Sequence, residues 1–581
     1  MSQTTLSQSR WNTISIQVKA ATLPSLRWWR WLALILPMSI AVLVLMPLVY
    51  LASSITDPNE ALWTRWWDTI LPPMLINTLQ LTLGVGIGTF IIGTVAAWLV
   101  TAYEFPGRIL FDRLLLLPLA IPSFILGFVF IATFDYAGPV QTQWRDWFGD
   151  DAWFPDVMSV WGLIIVMTAV LYPYVYILAR ASFREQAAST FEAARVMGYS
   201  RTQTFFRLVL PLARPSIAAG VVLAMMEAMT DYGTVSFFGY PTLSEGVVRI
   251  WKGTFGFDAA DNAAQLASLL MFIAFGMIVL ERLLRGRAKY YQQGGEGRRL
   301  QRVPLKGWKQ FVPTAILGVI LGFAFILPYG RLVYWAYHEV QNPQVGLLSV
   351  DIFQEHIKNT VRIAGIASGL VIGLSIVVAH GVRVTATSGK KRIPRFIARL
   401  TTLGYAMPGA VVAVGILLIV MPIDHEFTDY LELEWGRTNP DLFFTGTMTA
   451  MLYAYVVRFM AVGFNSVDAS LEKIKPSMEE AARTMGAGSF RVFRRIYIPL
   501  LKTGIAAGAI LVFVDVMKEI PATLILRPPF GTDTLALWVY GLASEAFWQA
   551  AAVPSIAIVG FGLIPILLLM RIGENTKETH G

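Results

Sequence analysis

Long apolar stretches alternate with short polar segments along most of this chain. Each stretch holds about 20 residues or more, which lets a helix cross the ~30 Å hydrocarbon core of a bilayer. Six of them occupy the first half of the chain, near residues 31–53, 75–103, 109–134, 157–183, 208–230 and 264–284. Six more occupy the second half, near residues 311–337, 357–385, 396–422, 441–467, 497–520 and 548–572. The pattern predicts an all-α polytopic membrane protein with twelve transmembrane helices.

The composition agrees with a membrane protein. Of the 581 residues, 55% are hydrophobic and 15% are charged, whereas about 25% are charged in an average soluble domain. The first apolar stretch is too long for the core of a cleaved signal peptide, which runs to roughly 15 residues, so we expect it to remain as a span. The chain has no cysteine, which excludes disulfides and thiolate metal sites. Its five histidines are scattered, so no metal site is firmly assigned.

The charges between the apolar stretches indicate the orientation. Segments 285–310 and 386–399 are strongly basic, whereas segments 135–156 and 423–441 are acidic. Basic loops face the cytoplasm in membrane proteins, so we expect a multi-pass protein with both termini in the cytoplasm. The net charge of +9 is spread over short loops, which indicates a lipid bilayer as the partner and no nucleic acid.

A short charged phrase occurs twice, 288 residues apart, as "EAARVMG" (192–198) and "EAARTMG" (480–486). Ten of 24 positions are identical when 192–215 is aligned with 480–503. Because each copy belongs to a set of six spans, we interpret the chain as two fused repeats of the same orientation, which enclose a path between them. The predicted division is a cytoplasmic tail (1–30), a first six-span repeat (31–284), a basic cytoplasmic linker (285–310), a second repeat (311–572) and a cytoplasmic tail (573–581).

Each phrase has the local signals of a short helix in a cytoplasmic loop. Ser189 and Ser477 precede the two glutamates by three residues, which is the capping-box pattern of a helix start. Gly198 and Gly486 suit the end of that helix. A second short helix then leads into the next span. The simpler interpretation is that the two glutamates only cap the start of the helix. The functional interpretation is that the flat alanine pair packs against a partner protein.

Glycines spaced four residues apart occur in the second span of each repeat. They are Gly84 and Gly88 in the first copy, and Gly365, Gly369 and Gly373 in the second. Small residues at this spacing let helix backbones approach closely. We therefore expect tight helix packing at both places.

The repeated phrase resembles the signature of ABC-importer permeases: EAA, three residues, glycine, nine residues, and an ending of the form I/L-x-L/I-P. Both copies match it, as "EAARVMGYSRTQTFFRLVLP" and "EAARTMGAGSFRVFRRIYIP". The resemblance implies that each loop is a coupling helix that docks on one subunit of an ATP-binding-cassette ATPase dimer. It also implies a periplasmic or extracellular substrate-binding protein and a bacterial cytoplasmic (inner) membrane. The coupling residues it implies are Glu192, Ala193, Ala194, Gly198, Glu480, Ala481, Ala482 and Gly486.

The chain carries no G-x-x-x-x-G-K-[ST] loop that could cradle nucleotide phosphates. ATP hydrolysis is therefore expected to come from a separate protein, with ATP and magnesium on that partner. We predict that this chain is the channel-forming subunit, without enzymatic activity and without a cofactor of its own.

Acidic residues recur in register near the ends of the fifth and eleventh spans. Glu227 and Asp231, with Tyr232, match Asp515 and Glu519 at the same offset of 288. Ionisable groups inside spans are functional candidates by default, so we predict that these residues line the substrate path. Hard cations prefer oxygen ligands, although an organic cation would also suit them. The alternative is a salt bridge of Lys518 with Asp515 or with Glu519 that only stabilises helix packing.

Two further stretches narrow the predicted class of substrate. "DYGTVSFFGYPTLSEGVVRIW" and "EIPATLILRPPFGTDTLALWVYGLASE" resemble the fused permeases of ferric-iron importers, and this resemblance implies ferric iron as the cargo. The alternatives are an ABC permease for thiamine or another small cation and, from another class, an ion-coupled secondary transporter. No catalytic constellation supports a membrane-bound enzyme.

Overall fold

The computed structural model describes residues 24–56, 58–185, 194, 196–253, 257–285, 302–343, 349–386, 392–435, 443–528 and 533–578. Twelve helical segments in these ranges are long and apolar enough to cross a membrane. Spans one to six are Ala33–Ser53, Leu71–Ala102, Ser123–Phe148, Val160–Arg184, Thr202–Thr230 and Ala260–Leu284. Spans seven to twelve are Gly307–Gln341, Val350–Thr385, Gly409–Leu433, Met448–Leu471, Phe490–Lys518 and Trp548–Leu568. The prediction of an all-α protein with twelve spans in two repeats is confirmed.

Shorter elements join the spans. In the first half, the short helices are Glu60–Thr69, Arg108–Leu114, Gly233–Phe237 and Leu243–Gly253. In the second half, they are Arg392–Thr401, Pro476–Thr484, Pro521–Leu526 and Leu535–Ser544. Span three consists of two helices, Ser123–Phe134 and Pro139–Phe148. The strands Tyr103–Glu104 and Val303–Pro304 pair in parallel, so the end of the linker lies beside the loop after span two.

Spans three and nine begin later than predicted. The ranges 109–134 and 396–422 were expected to be continuous, but each starts with a separate short helix and a 3-10 turn. We name these short helices the first elbow helix (Arg108–Leu114) and the second elbow helix (Arg392–Thr401). The helix breaks before Ser123 and Gly409 because each of these follows a proline, which cannot donate a backbone hydrogen bond.

The acidic segment 423–441 was expected to be a loop, but its first part is helical. Helix Gly409–Trp435 extends span nine through most of the acidic residues. Asp424 on this helix is buried and accepts hydrogen bonds from the backbone amides of Phe443, Phe444 and Thr445. This carboxylate therefore attaches the connection after span nine to the span itself.

Spans five, seven and eleven each contain one wide π-helical turn: Phe205–Val209, Gly322–Ile326 and Phe493–Tyr497. In all three, a proline follows the last residue of the turn by two positions. A proline ring clashes with the carbonyl four residues earlier in a regular helix. The wider turn makes room for that carbonyl, so the helix continues past the proline without breaking.

The two halves have matching cores and exchange their peripheral spans. Spans two, four and five pack together in the first half, and spans eight, ten and eleven pack together in the second. Span one lies mainly against the second half, where Tyr453 donates a hydrogen bond to the carbonyl of Leu43 at 2.6 Å. Span seven reaches the first half, where the rings of Phe323 and Phe130 are 4.5 Å apart. The interface between the halves is therefore interlocked.

The expectation of tight glycine packing is correct for one half only. A Cβ at Gly84 or Gly88 would collide with span four, so spans two and four are in close contact there. At Gly365, Gly369 and Gly373, no described atom lies within 4 Å of where a Cβ would stand. These three glycines lie on an exposed face of span eight, because spans ten and eleven pack against its other side.

Candidate functional site

The helix of the second motif loop begins differently from the prediction. It spans Pro476–Thr484, is preceded by Lys475, and has no side-chain cap. Ser477 is therefore the second residue of the helix, and the predicted capping box between Ser477 and Glu480 is wrong. The reason is local, since the fixed φ of Pro476 favours the first helical position. The corresponding first-copy residues, Ser189, Glu192 and Ala193, lie outside the described residues.

Both motif helices end in the same backbone turn, as predicted. Gly198 and Gly486 have φ of 76° and 81°. The amide after each glycine reaches back to an alanine carbonyl: Tyr199 to Ala194 and Ala487 to Ala482, each at 3.0 Å. This six-to-one bond is the Schellman motif, which needs a left-handed residue and therefore favours glycine.

The alanine pair does not form one flat face. Ala194 and Ala482 are buried within the chain, whereas Glu480 and Ala481 are exposed. Adjacent helical residues point in different directions, so only the first alanine of the second copy can meet a partner. The methionine before each glycine is also exposed, with exposed fractions of 58% at position 197 and 81% at position 485.

Side chains of different chemistry hold the two motif loops against the spans. In the first half, the Trp98 ring contacts the rings of Phe205 and Phe183, with centroids 4.7 and 5.8 Å away. In the second half, Glu479 accepts hydrogen bonds from Arg483 at 2.7 Å and from Tyr497. Sequence reasoning missed Glu479, because it stands beside the motif glutamate and no pattern separates the two.

A cavity of about 460 Å³ lies between the halves, at the ends of spans five and eleven far from the motif loops. Spans four and five line it on one side, and spans ten, eleven and twelve on the other. All five residues predicted for the substrate path line this one cavity: Glu227, Asp231, Tyr232, Asp515 and Glu519. The cavity thus lies where a path between two parallel repeats was expected.

The ionisable lining of the cavity is acidic on balance. It comprises the four predicted carboxylates and two basic side chains, Arg458 and Lys518. Tyr174 and Tyr405 add phenol groups from opposite halves. Sequence reasoning missed Arg458, although an arginine in the middle of the apolar run "YVVRFMAV" is the kind of intramembrane charge that signals a functional position.

Both carboxylate oxygens of Asp231 accept hydrogen bonds from groups of the first half. One carboxylate oxygen accepts hydrogen bonds from the hydroxyls of Ser123 at 2.5 Å and Thr234 at 3.1 Å. The other accepts from the backbone amides of Thr234 at 2.8 Å and Val235 at 3.3 Å. Asp231 therefore caps the short helix Gly233–Phe237 in addition to lining the cavity.

Glu519 has the matching role in the second half. It accepts a hydrogen bond from the backbone amide of Ala522 at 3.0 Å, at the start of helix Pro521–Leu526. Its second oxygen pairs with Arg458 at 3.3 Å. Of the two alternative salt bridges with Lys518, the one with Glu519 is not formed, because the arginine of span ten pairs with this carboxylate instead.

The remaining two acids are less constrained. Asp515 pairs with Lys518 at 3.7 Å, one helical turn away, as the packing alternative predicted. Within the described part of the chain, no hydrogen bond or ion pair reaches the carboxylate of Glu227. Glu227 and Asp515 lie within electrostatic reach of each other and of Arg458. Of the four acids, Glu227 is therefore the one whose carboxylate is least engaged by the described protein groups.

Tyr232 joins the two halves beside the cavity. Its hydroxyl lies 3.0 Å from that of Tyr540 in the second half and 3.4 Å from the Lys252 ammonium. Ser236 also reaches the Tyr540 hydroxyl at 3.0 Å. Lys252 and Tyr540 are 288 residues apart, so two repeat-related positions meet at one phenol. A polar cluster thus bridges the halves at this end.

Comparison with known proteins places these features in a family. Residues 89–286 and 369–575 each match the family described as binding-protein-dependent transport system inner membrane component. The chain is 26% identical over 547 residues, covering 93% of this chain and 98% of the relative, to the Fe(3+)-transport system permease protein FbpB 2 of Haemophilus influenzae. It is 23% identical to the ferric transport system permease protein FbpB of Actinobacillus pleuropneumoniae, covering 86% of this chain and 70% of the relative.

A shorter relative matches a single repeat. The sulfate transport system permease protein CysT of Escherichia coli is 28% identical over 203 residues, covering 34% of this chain and 70% of the relative. The family match covers a large part of each half and includes both motif loops and the acidic ends of spans five and eleven. The chain therefore belongs to the binding-protein-dependent transport system inner membrane components, as a multi-pass permease in which two copies of the family unit are fused.

Proposed function

We propose that this chain is the transmembrane permease subunit of an ATP-binding-cassette importer for ferric iron. It receives the cargo from an external binding protein and releases it into the cytoplasm by alternating access. The main observation in support of the proposal is the cavity between the halves, which is lined by four carboxylates and two basic groups. The names of the two relatives that match most of this chain, an Fe(3+)-transport and a ferric transport system permease protein, support the same cargo.

The charge of the cavity separates cation transport from oxyanion transport. With all six groups ionised, the lining has two more negative than positive charges. Such a lining attracts a cation and repels sulfate, the cargo named for the shorter relative. Carboxylate and phenol oxygens are ligands that a hard cation prefers. No three acidic or histidine residues among those described are grouped as metal ligands, so the cavity suits passage of a cation rather than its permanent binding.

The motif loops are the proposed contacts with the ATPase dimer. Glu480 and Ala481 are exposed on the second loop, and the exposed methionine of each loop adds an apolar contact. The Schellman turns at Gly198 and Gly486 give both loops the same backbone turn at the glycine, which suits contact with two equivalent ATPase subunits. ATP and magnesium bind that partner, since this chain lacks a phosphate-binding loop.

The proposed orientation follows from the motif loops and the basic segments. Both belong on the cytoplasmic side of the inner membrane, together with both termini. Reporter fusions after Gly294 and Gly389 are expected to report the cytoplasm, and fusions near Asp150 and Glu432 the outside. Reversal at any two of these positions would overturn the arrangement of two six-span repeats.

Reconstitution tests the cargo directly. The permease, its binding protein and its ATPase are placed in liposomes, and labelled ferric iron, thiamine and sulfate are offered separately. We expect ATP-dependent uptake of iron alone. Uptake of thiamine without iron would reject the ferric assignment and leave the importer class intact. Uptake of any cargo without ATP would reject the importer class and favour a secondary transporter.

The same liposomes test coupling. The double variant Glu192→Lys with Glu480→Lys is expected to insert normally but to lose substrate-stimulated ATP hydrolysis and uptake. Reversal of the exposed charge of Glu480 disturbs a partner contact without removing packing inside the chain. A matched control is Glu472→Lys, an exposed acid before the second motif helix. Full activity of the double variant would show that these glutamates are not the ATPase contact.

A further inference from the structure

Arg383 lies near the motif-loop end of span eight and binds the end of span ten. Its guanidinium donates one hydrogen bond to the carbonyl of Leu471 at 2.6 Å and another to that of Ile474 at 2.7 Å. Leu471 is the last residue of helix Met448–Leu471, and Ile474 lies in the turn before the motif helix. Free carbonyls at a helix end favour a cationic donor, so this arginine secures the connection from span ten to the motif loop.

The same guanidinium also faces the motif helix and the start of span eleven. Its Nε atom is 3.9 Å from a carboxylate oxygen of Glu479 on the motif helix. That oxygen accepts a hydrogen bond from the Tyr497 hydroxyl. The guanidinium carbon lies 5.2 Å from the centre of the Tyr497 ring, which is buried in the π turn of span eleven. One side chain of span eight thus contacts three other elements around the second motif loop.

The described part of the first half lacks this arrangement. Thr101 stands 282 residues before Arg383, which is the offset between spans two and eight. Its hydroxyl is buried without a hydrogen-bond partner among the described residues. Val209 stands at the position of Tyr497, 288 residues earlier. A threonine and a valine cannot form the ion pair, and among the described residues the ring of Trp98 packs on Phe205 at the start of span five instead.

We propose that Arg383 is a positioning residue that couples the second motif loop to spans eight, ten and eleven. Through Glu479 and Tyr497 it makes the motif helix and these spans move as one body when the ATPase displaces the loop. Arg383 holds the end of span ten by two charge-assisted hydrogen bonds, which are short, and it faces Glu479 of the motif helix as an ion pair at 3.9 Å. Together these contacts transmit a displacement that exposed surface contacts would absorb. The inference rests on the proposed function of the motif loops as ATPase contacts.

The test separates transmission from docking. In the reconstituted system, two quantities are measured for each variant: iron imported per ATP hydrolysed, and the ATPase concentration that gives half-maximal hydrolysis. Arg383→Met is expected to lower the first quantity by about tenfold, the effect of one lost charge-assisted bond, and to leave the second unchanged. Arg383→Lys keeps the charge but not the forked geometry, so it is expected to restore the ratio only in part.

Further variants guard against misfolding and general damage. Tyr497→Phe keeps the buried ring and removes only the hydroxyl, and it is expected to lower the ratio by a smaller factor. Thr101→Val in the first half, which replaces a buried hydroxyl by a methyl group of the same shape, is expected to behave as wild type.

Two results would overturn the proposal. One is an unchanged ratio in both Arg383→Met and Tyr497→Phe. The other is a rise in the half-maximal ATPase concentration at constant ratio, which would mean that Arg383 only shapes the docking surface. If the wild-type protein imports no iron with ATP, the proposed function fails instead, and this outcome is seen before any variant is compared.

Discussion

In the first half, the cavity carboxylate of Asp231 accepts a hydrogen bond from Ser123, whereas in the second half the matching carboxylate of Glu519 pairs with Arg458. Ser123 corresponds to Gly409 at the offset of 286. A Cβ at Gly409 would collide with both Glu519 and Arg458. The missing side chain therefore makes room for the arginine. Both acids cap the start of a short helix by accepting hydrogen bonds from its backbone amides. They differ in the side chain that contacts the carboxylate.

The elbow helices show a similar contrast. Asp112 on the first elbow helix pairs with Arg180 and Arg184 of span four, each at 2.6 Å. On the second elbow helix the charge is reversed, since Arg395 lies within electrostatic reach of Asp468 on span ten. Asp468 stands 288 residues after Arg180. Two fused halves can thus conserve a contact between elements while exchanging the charges that form it.

The largest contrast is expected at the cavity acids. Arg458→Met leaves Glu519 buried without its ion pair, which costs about 3–5 kcal/mol in free energy of unfolding. Ser123→Ala removes one hydrogen bond from Asp231, which retains others, and costs about 1 kcal/mol. Thermal unfolding of the purified permease measures both. The double variant Arg458→Met with Glu519→Gln is the control and is expected to recover most of the loss. Equal effects of the two single changes would contradict the comparison.

The next contrast concerns the side chains that hold the two motif loops against the spans. Trp98→Ala removes a large ring that packs on Phe183 and Phe205, which costs about 3 kcal/mol. His380→Ala removes the smaller ring at the matching position, where Phe493 lies 4.9 Å away, and we expect about half that cost. Thermal unfolding with limited proteolysis of both loops would test this. Faster cleavage of the second loop in Trp98→Ala would contradict the assignment of this ring to the first loop.

The glycine turns are where the halves are expected to respond alike. Alanine at position 198 or 486 must adopt a positive φ, at a cost of about 1–2 kcal/mol. Among the described residues, no atom of a neighbouring element lies within 4 Å of either new Cβ, so no collision with them adds to this cost. We expect equal shifts in thermal midpoint for Gly198→Ala and Gly486→Ala. A shift in only one variant would show that the two turns differ in the folded protein.

The smallest expected effect concerns the first elbow helix. Burial by itself raises the pKa of Asp112, but Arg180 and Arg184 bring it below the usual value. A lowered pKa stabilises the folded protein above the unfolded value of about 3.9, and this stabilisation disappears as the pH falls through the folded pKa. Asp112→Asn is thus expected to cost about 1–2 kcal/mol near neutral pH. The difference from wild type should close below about pH 4. A difference that stays constant with pH would contradict the ion pair.

Much of the architecture could be predicted from local sequence signals. Span length and apolar composition predicted the twelve spans, and the offset of 288 predicted the matching halves. The glycine turns were also predictable, because a left-handed residue at a helix end favours glycine through its own backbone. The error at Ser477 has a local cause as well, since Pro476 takes the first helical position and leaves the serine no capping role.

The partners of the buried charges could not be predicted in this way. Arg458 and Glu519 are 61 residues apart in sequence, and Arg383 and Glu479 are 96 apart. Their contacts depend on how spans eight, ten and eleven pack against one another, and several bases could have served each acid.

The sequence by itself determined the number of spans, the fused repeat, the family signature and the acidic ends of spans five and eleven. These properties depend on residue type, on spacing along the chain and on the φ preference of single residues. All three are local features of the sequence. Only the tertiary structure decided which acids are capped, which remain open to the cavity and how each motif loop is held. Those outcomes depend on distances of a few ångströms between separate spans, and ion pairs and hydrogen bonds form or fail over such distances.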